Sequence, residues 1–495
     1  MRRRRRPQLL ALAALLLTGI VSVPAFAQGL TDAEEDPRQS TEKPKEAEQP
    51  TAVLPAAPVP PPAAPVVVAP AKPKFGDVSV SGYFRGNFGA SNQKGRMTCF
   101  SLALPGDLRS KYRLGNECEV WSETHFTVVT YSGEGAADGV VATAHFMPTL
   151  FIPTTFIGYT PTGVVNSPLS FTTSTGATLS FPNLYADISG IPWLFGGTAW
   201  AGTRYYKRES VYISDFFYWN PSGVGAGIED INLGKDLRLS YGAFAVDGRL
   251  APPPQDFAPP LAMLSDFGVR NDLQLRGIKF WDSGEFQLGF QYIADYSSNA
   301  ATSGGWGVTF RFVQKLLGGD NKFVVQYGRG AGTGFGTLAR YYYPDFSLYN
   351  APSELRVRVV DVLTIQPGNG WFGAQAAVVF QHDDLGNAGQ VTNWVSAGTR
   401  VSVALNEHFK VLGEVGYDRV TKSNGSPEQF LNKFTIAPTI SAGHGLLTRP
   451  ELRLFFTWAM WNEAARIATV DSGMLYTNTV FLSGSTFGVQ AETWW

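Results

Sequence analysis

The chain has 495 residues, with 40 Lys+Arg against 41 Asp+Glu, 44% hydrophobic, 13% aromatic and only 16% charged. Balanced, sparse charge leaves no basic surplus to neutralise phosphates, which excludes a nucleic-acid partner. Two cysteines cannot build a disulfide-dense scaffold or an iron–sulfur site, and five scattered histidines leave little for a histidine metal centre. The 53 glycines, 34 phenylalanines, 19 tyrosines and 12 tryptophans point to β structure in an unusual solvent.

The first 27 residues read as a secretory signal peptide. Arg2–Arg6 form a basic block, Leu9–Val23 an apolar run, and Pro24-Ala25-Phe26-Ala27 an A-x-A cleavage site. The run is too short for a membrane helix, and no later segment offers eighteen consecutive apolar residues. Removing the five arginines leaves 35 basic against 41 acidic residues, so the mature chain is near −6.

Residues 28–74 contain no aromatic residue. An acidic stretch, Thr31–Glu48, runs into Pro/Ala-rich text, and ten of the 32 prolines lie between Pro44 and Pro73. Such a segment cannot bury enough apolar surface to offset its ordering entropy, so a disordered periplasmic linker is expected. A second reading is an arm that contacts peptidoglycan.

From Asp77 the texture changes to period-two alternation. Val78, Val80, Phe84 and Phe88 share one face; Ser79, Ser81, Tyr83, Arg85 and Asn87 share the other. The pattern returns at 285–291, where Phe286, Leu288 and Phe290 oppose Glu285, Gln287 and Gln291. At 306–312, Trp306, Val308, Phe310 and Phe312 oppose Thr309 and Arg311. At 451–458, Leu452, Leu454, Phe456 and Trp458 oppose Glu451, Arg453 and Thr457, and the last residues set Phe487, Val489, Ala491 and Trp495 against Thr486, Gln490, Glu492 and Trp494. An apolar face crowded with Phe and Trp beside a charged face is the pattern of a transmembrane barrel, whose closure leaves no unpaired backbone in hydrocarbon. Gly328–Gly336 and Asn424-Gly425 fit hairpin connections. The expected fold of 75–495 is therefore all-β, a transmembrane antiparallel β-barrel of roughly 18 strands, wide enough for a lumen.

At SKYRLGNECE (Ser110–Glu119), with Cys99-Phe100 upstream, the chain resembles the maltoporins. Further matches follow in order: WAGTRYYKR (Trp200–Arg208), DFFYWNPSGVGAGIE (Asp215–Glu229), NKFVVQY (Asn321–Tyr327), Thr448-Arg449-Pro450 and FGVQAETWW (Phe487–Trp495). The resemblance implies an 18-stranded, sugar-selective channel, assembled as a homotrimer in the lipid and lipopolysaccharide of a Gram-negative outer membrane. It implies passive transport of oligosaccharides of the maltodextrin type, with neither enzymatic activity nor cofactor. Sucrose porins, which are close relatives, carry an N-terminal extension, but theirs is a coiled coil.

Pyranose rings present C–H faces that pack on aromatic planes, while their hydroxyls need edge-on donors and acceptors. By resemblance, Tyr83, Trp121 and Trp494 match aromatic slide positions. Arg85, Arg113, Glu123 and Arg208 match the flanking polar track, Asp215 an acid near the constriction, and Phe217 a constriction tyrosine that has lost its hydroxyl. The bland alternative for each is a membrane-girdle aromatic or a lumen charge paired with its opposite. Ser210 and Tyr212 stand where the family has an aspartate and a histidine, and Asp320 and Leu447 replace a slide phenylalanine and tryptophan. These departures keep a sucrose or other carbohydrate porin, and a general diffusion porin, in play.

Cys99 and Cys118 flank one loop of an exported chain, which reads as a structural disulfide worth roughly 3 kcal/mol of loop constraint. G-x-S-x-G, H-E-x-x-H and C-x-x-C are absent, and His382-Asp383-Asp384 reads as a solvated polar loop rather than a metal site.

Overall fold

A computed structural model of the chain describes residues 73–93, 95–102, 111–133, 139–153, 170–172, 178–247, 267–298, 300–335, 348, 350–368, 370–386, 390–470 and 481–495. The expected signal peptide, and the proline-rich segment up to residue 72, lie outside the described residues.

Strands dominate. They run β1 (Val78–Ser91), β2 (Glu119–Ser132), β3 (Val141–Pro153), β4 (Thr178–Ile191), β5 (Gly197–Arg204) and β6 (Gly223–Gly234). Next come β7 (Leu237–Asp247), β8 (Phe267–Trp281), β9 (Gly284–Asp295), β10 (Gly305–Leu316), β11 (Gly319–Gly330) and β12 (Leu355–Ile365). The series ends with β13 (Phe372–Asp384), β14 (Val391–Asn406), β15 (Phe409–Lys422), β16 (Gln429–Ser441), β17 (Glu451–Trp461) and β18 (Ser483–Trp494). Each pairs antiparallel with its predecessor, and β18 returns to β1 in register from Tyr83↔Trp494 to Ser91↔Thr486, so the 18-stranded sheet closes on itself. At 8 to 16 residues the strands suit a tilted crossing of a hydrocarbon layer. Among the described residues no helix is long and apolar enough to cross a membrane.

The polarity is inverted relative to a water-soluble domain. Phe88 is 83% exposed, and Leu288, Phe290, Trp306, Val308, Leu452, Leu454, Phe456 and Phe487 also point outward. Their strand neighbours Arg85, Gln287, Gln291, Thr309, Arg311, Glu451, Arg453, Gln490 and Glu492 are buried inside. This is the alternation expected above, with apolar side chains toward lipid and polar ones toward the lumen.

Because strands alternate in direction, connections alternate between the two ends. One end carries two-residue turns at 235–236, 282–283, 317–318 and 407–408; the other carries long segments such as 92–118, 205–222 and 331–354. Trp193, Phe195, Phe280, Trp281, Trp371 and Trp495 ring the short-turn end, and Tyr292, Tyr296 and Trp306 the other, as aromatic girdles do at two interfaces.

Two readings change. His382-Asp383-Asp384 is not a loop but the end of β13, where Asp383 faces inward and takes Arg356 at 2.5 Å. A polar triplet reads as a loop only if the protein interior is assumed apolar. Gly328 and Gly330 likewise still belong to β11, and the connection begins after Gly330, at φ +56°. Asn424-Gly425 does form a turn, with Gly425 at φ +81°.

The long-loop end folds back into the barrel. Cys99 and Cys118 are joined in a disulfide with Cα atoms 5.8 Å apart, which ties the segment before β2 upon itself. Tyr112 lies across Gly398 and Gly416 on the inner wall, where an added Cβ would come within 2.2 Å and 1.9 Å of its ring. Its hydroxyl meets Ser396 at 3.0 Å, and burial raises its pKa well above the ordinary tyrosine value, so it stays neutral. Glu414 accepts from the Leu114 backbone N–H at 2.9 Å, and Lys433 donates to the Leu114 carbonyl at 3.1 Å. The segment 205–222 rests on the adjoining stretch of the same wall, and Tyr112, Phe216 and Trp394 share one buried cluster. Phe216 packs edge-on against Trp394, Arg358 donates to the Tyr218 carbonyl at 3.2 Å, and Gln375 accepts from the Ile213 N–H at 3.1 Å.

Gly416→Val removes the seat of Tyr112 without touching barrel pairing. The variant is expected to fold as a barrel yet become cleavable by trypsin after Lys111 or Arg113, whereas the unaltered protein is expected to resist cleavage there. The Cys99–Cys118 bond will hold the nicked chain together, so the fragments separate on a reducing gel and not on a non-reducing one.

Candidate functional site

Register builds the site. Tyr83 on β1 stands opposite Trp494 on β18 and opposite Glu123 on β2, one inward-facing row across three strands. The next inward row is Glu492, Arg85 and Trp121. Residues directly opposite on one face of a sheet sit within side-chain contact of each other. Alternation therefore stacks Tyr83 and Trp494 in one row and Trp121 in the next, with charge between them.

The segment 205–222 supplies the facing side. A single 3-10 turn, Tyr212–Ser214, ends at Asp215 in the left-handed region (φ 53°), a conformation aspartate tolerates better than most residues. It is followed by the short strand Phe216–Trp219, whose alternation buries Phe216 and Tyr218 and leaves Phe217 half-buried on the other face.

These pieces enclose a cavity of about 250 Å³ lined by Tyr83, Arg85, Arg113, Trp121, Glu123, Tyr205, Arg208, Ser210, Tyr212, Asp215, Phe217 and Trp494. All nine site residues expected from the sequence are brought together in it. Tyr205, Ser210 and Tyr212 complete the lining. Tyr205 lies inside the quoted WAGTRYYKR segment, and its neighbour Arg208 was the signal that could have found it. Ser210 and Tyr212 were noted only as departures, yet Tyr212 packs edge-on against Trp494 at 6.5 Å. Arg449 was also missed. Its guanidinium lies 4.6 Å from the Trp494 ring and donates to Glu492 at 2.9 Å.

The charges fall into two classes. Arg85 and Arg113 are only 5% and 6% exposed, and both are paired with carboxylates. Arg85 reaches Glu119 at 2.8 Å and Asp215 at 2.9 Å, while Arg113 reaches Glu117 at 2.6 Å and Glu492 at 3.0 Å and also donates to the Tyr83 hydroxyl. Burial disfavours the Arg113 cation, but the Tyr83 hydroxyl and the carboxylates of Glu492, Glu117 and Asp215 outweigh it and hold the pKa well above the ordinary arginine value. Through Lys111, Lys410, Arg449, Arg453 and Glu451 the network continues, with six cations and five carboxylates among the described residues. Arg208 differs. It has no carboxylate within ion-pair distance among the described residues and rests on the rings of Tyr205 at 3.3 Å and Phe217 at 4.8 Å. Glu123 accepts from the Trp121 indole at 3.0 Å and keeps partial exposure.

The two replaced slide positions lie away from this cavity. Asp320 opens β11 beside the 317–318 turn, 3.9 Å from Lys322, and Leu447 is exposed in the 442–450 connection. Both are at the short-turn end.

Solved structures similar to this chain include three from different bacteria. OmpT of Vibrio cholerae, an outer membrane protein folded in vitro and described in trimer form, has 7% identity and covers 85% of this chain and 100% of its own, at a TM-score of 0.37. OccAB1 of Acinetobacter baumannii has 10% identity over 85% and 97%, at 0.45. OpdK of Pseudomonas aeruginosa, crystallised with vanillate, has 11% identity over 85% and 99%, at 0.42. At these scores none bears on solute or assembly. The family comparison is of another kind: the LamB porin profile matches residues 78–495. Since that match runs from the first barrel strand through the last, the chain belongs to the LamB porin family.

Proposed function

We propose that this porin is a sugar-selective outer-membrane channel that lets maltodextrin-type oligosaccharides diffuse passively along Tyr83, Trp121 and Trp494. The observation that carries the reading is one cavity in which three aromatic side chains from β18, β1 and β2 meet hydrogen-bonding residues. Aromatic faces take the C–H side of a pyranose, and edge-on polar groups exchange with its hydroxyls. A cavity of about 250 Å³ is smaller than the ~300–1,000 Å³ of an ordinary ligand pocket, which suits a stretch of channel that a sugar threads. Conduction requires binding strong enough to enter and weak enough to leave.

Within the proposed track the roles separate. Arg208 and Glu123 offer hydrogen bonds to hydroxyls from accessible positions. Arg85, Arg113 and Asp215 set the shape and charge of the cavity from beneath. Phe217 narrows it without contributing a donor. A homotrimer in lipid and lipopolysaccharide, export by residues 1–27, and a linker at 28–74 that reaches peptidoglycan belong to the same reading.

A second reading has its own support. With Asp320 and Leu447 in place of aromatics at the short-turn end, the slide stops partway, which favours a sucrose or other short carbohydrate, or general diffusion, over long maltodextrins.

Planar-bilayer recording of the purified full chain distinguishes these. Maltotriose is expected to block ion current saturably; block mainly by sucrose would shift the substrate, and no block by either would make it a general porin. Trp494→Ala is expected to weaken maltotriose block roughly fivefold, about 1 kcal/mol of lost stacking, while ion conductance changes less. Equal changes in both would remove the slide from the account. The two arginine classes give opposite outcomes. Arg208→Ala should leave thermal stability intact and shift the zero-current potential in a KCl gradient toward cation preference. Arg113→Ala should cost folding stability of roughly 3–5 kcal/mol, because Glu117 and Glu492 lose a buried partner, and heat-modified gel mobility will register it.

A further inference from the structure

Beyond Glu123, the inward face of β2 continues through His125 and Thr127, about 7 Å further toward the short-turn end. There His125 meets His145 of β3, with the Nε2 of the first 3.2 Å from the Nδ1 of the second. The Nε2 of His145 contacts an Asp187 carboxylate oxygen on β4 at 2.9 Å. A carboxylate only accepts, so in the neutral ring that contact makes Nε2 the protonated nitrogen and leaves the Nδ1 lone pair facing His125, with the Thr127 hydroxyl 3.4 Å from the same nitrogen. Tyr185 stands opposite His145 in register and stacks on it at 4.2 Å with the rings 5° apart. The His145 ring is therefore fixed both in plane and in rotation. Side-chain exposures of 11% for His145 and 15% for Asp187 keep the group reachable from the lumen.

We propose that His125 and His145 form a two-imidazole site for a divalent transition-metal ion, Zn²⁺, Cu²⁺ or Ni²⁺, in the channel wall, with Asp187 as the group that orients His145. Three features carry it. Tetrahedral coordination with metal–nitrogen bonds of about 2.0–2.1 Å sets two ligand nitrogens about 3.3 Å apart, close to the separation found here. Imidazole nitrogen suits these metals. A carboxylate on the far nitrogen of a histidine is the usual outer support of a ligating imidazole, raising its basicity and fixing its tautomer. Arg204, a cation close enough to act on His125, is stacked on Tyr185 and paired with Glu229 at 2.8 Å, so its charge is already met. Among the described residues no group of three His, Cys, Asp or Glu side chains is placed to hold one ion, Asp187 lying on the far nitrogen of His145, so water completes the shell and the ion exchanges readily with the lumen.

Single-channel recording of the full chain in a planar bilayer tests this, with ZnCl₂, NiCl₂ or CuCl₂ added to the short-turn side. The expected result is a saturable fall in current that EDTA reverses. His125→Gln and His145→Gln should raise the half-blocking concentration roughly tenfold or more, Asp187→Asn should raise it less, and maltotriose block should persist in all three. Block that is absent, or unchanged in both histidine variants, overturns the site. Electron paramagnetic resonance of Cu²⁺ on the unaltered protein in detergent is independent of variant folding. Coupling to two nitrogens supports the site, and a spectrum with oxygen ligands only removes it.

Discussion

Everything in this molecule depends on the pairing of β1 with β18. In hydrocarbon an open sheet edge would leave a row of unsatisfied N–H and C=O groups, each costing several kcal/mol, so a spanning sheet has to close. Closure joins residues that are some four hundred positions apart in the chain, Tyr83 with Trp494 and Arg85 with Glu492. The same register that satisfies the backbone therefore assembles the candidate site. A one-residue slip of β1 would send Tyr83 and Arg85 to the lipid face and away from Trp494. The structural requirement and the functional one are met by a single set of hydrogen bonds.

Closure also makes a lumen, and the lumen imposes the second constraint. Charges enclosed there lose much of their hydration, so they persist only when paired and hydrogen-bonded. The inner wall meets that requirement across segments rather than within them. Glu492 of β18 meets Arg113 of the 92–118 connection and Arg449 of the 442–450 connection, and Arg85 of β1 meets Asp215 of 205–222. Such pairs fasten inward-folded segments that bury only modest apolar surface. The apolar part is local: Tyr112 in the trough at Gly398 and Gly416, and Phe216 on Trp394. Ion pairs select the position, and these aromatic seats hold it.

The barrel was legible because alternation is a one-dimensional signal. Phe286, Leu288 and Phe290 against Gln287 and Gln291 declare a two-faced strand without reference to any partner, and the strand number followed from length. The nine site residues were legible through resemblance alone. Period two establishes that Tyr83 and Arg85 share a face, but it does not reveal that Trp494 lies opposite. What stayed hidden involves contacts between distant segments. Arg449 lies in the 442–450 connection and alternates with nothing, so its place over Trp494 has no local trace. His382-Asp383-Asp384 misled for a related reason, since in an inverted protein a polar run marks an inward face as readily as a loop. His125, His145 and Asp187 come from three strands and carry no motif spacing.

The balance of charge around the candidate site bears on what a channel there would pass. Six cations and five carboxylates in one connected network leave it close to neutral, and Arg208 adds a positive charge held over two rings instead of an acid. A strongly charged ring would bind counterions and exclude ions of its own sign. A nearly neutral one still offers hydrogen-bonding groups, but with a weak net field, so it discriminates by shape and hydrogen bonding more than by charge. For a polyhydroxylated neutral solute that is the useful compromise. On the proposed reading, aromatic faces would hold the ring and exchangeable polar groups would replace water one at a time, with no single group binding hard enough to stop the passage. The buried arginines fit that reading because they are already paired with carboxylates: they keep the aromatic surface in place and would leave the weaker contacts to a solute.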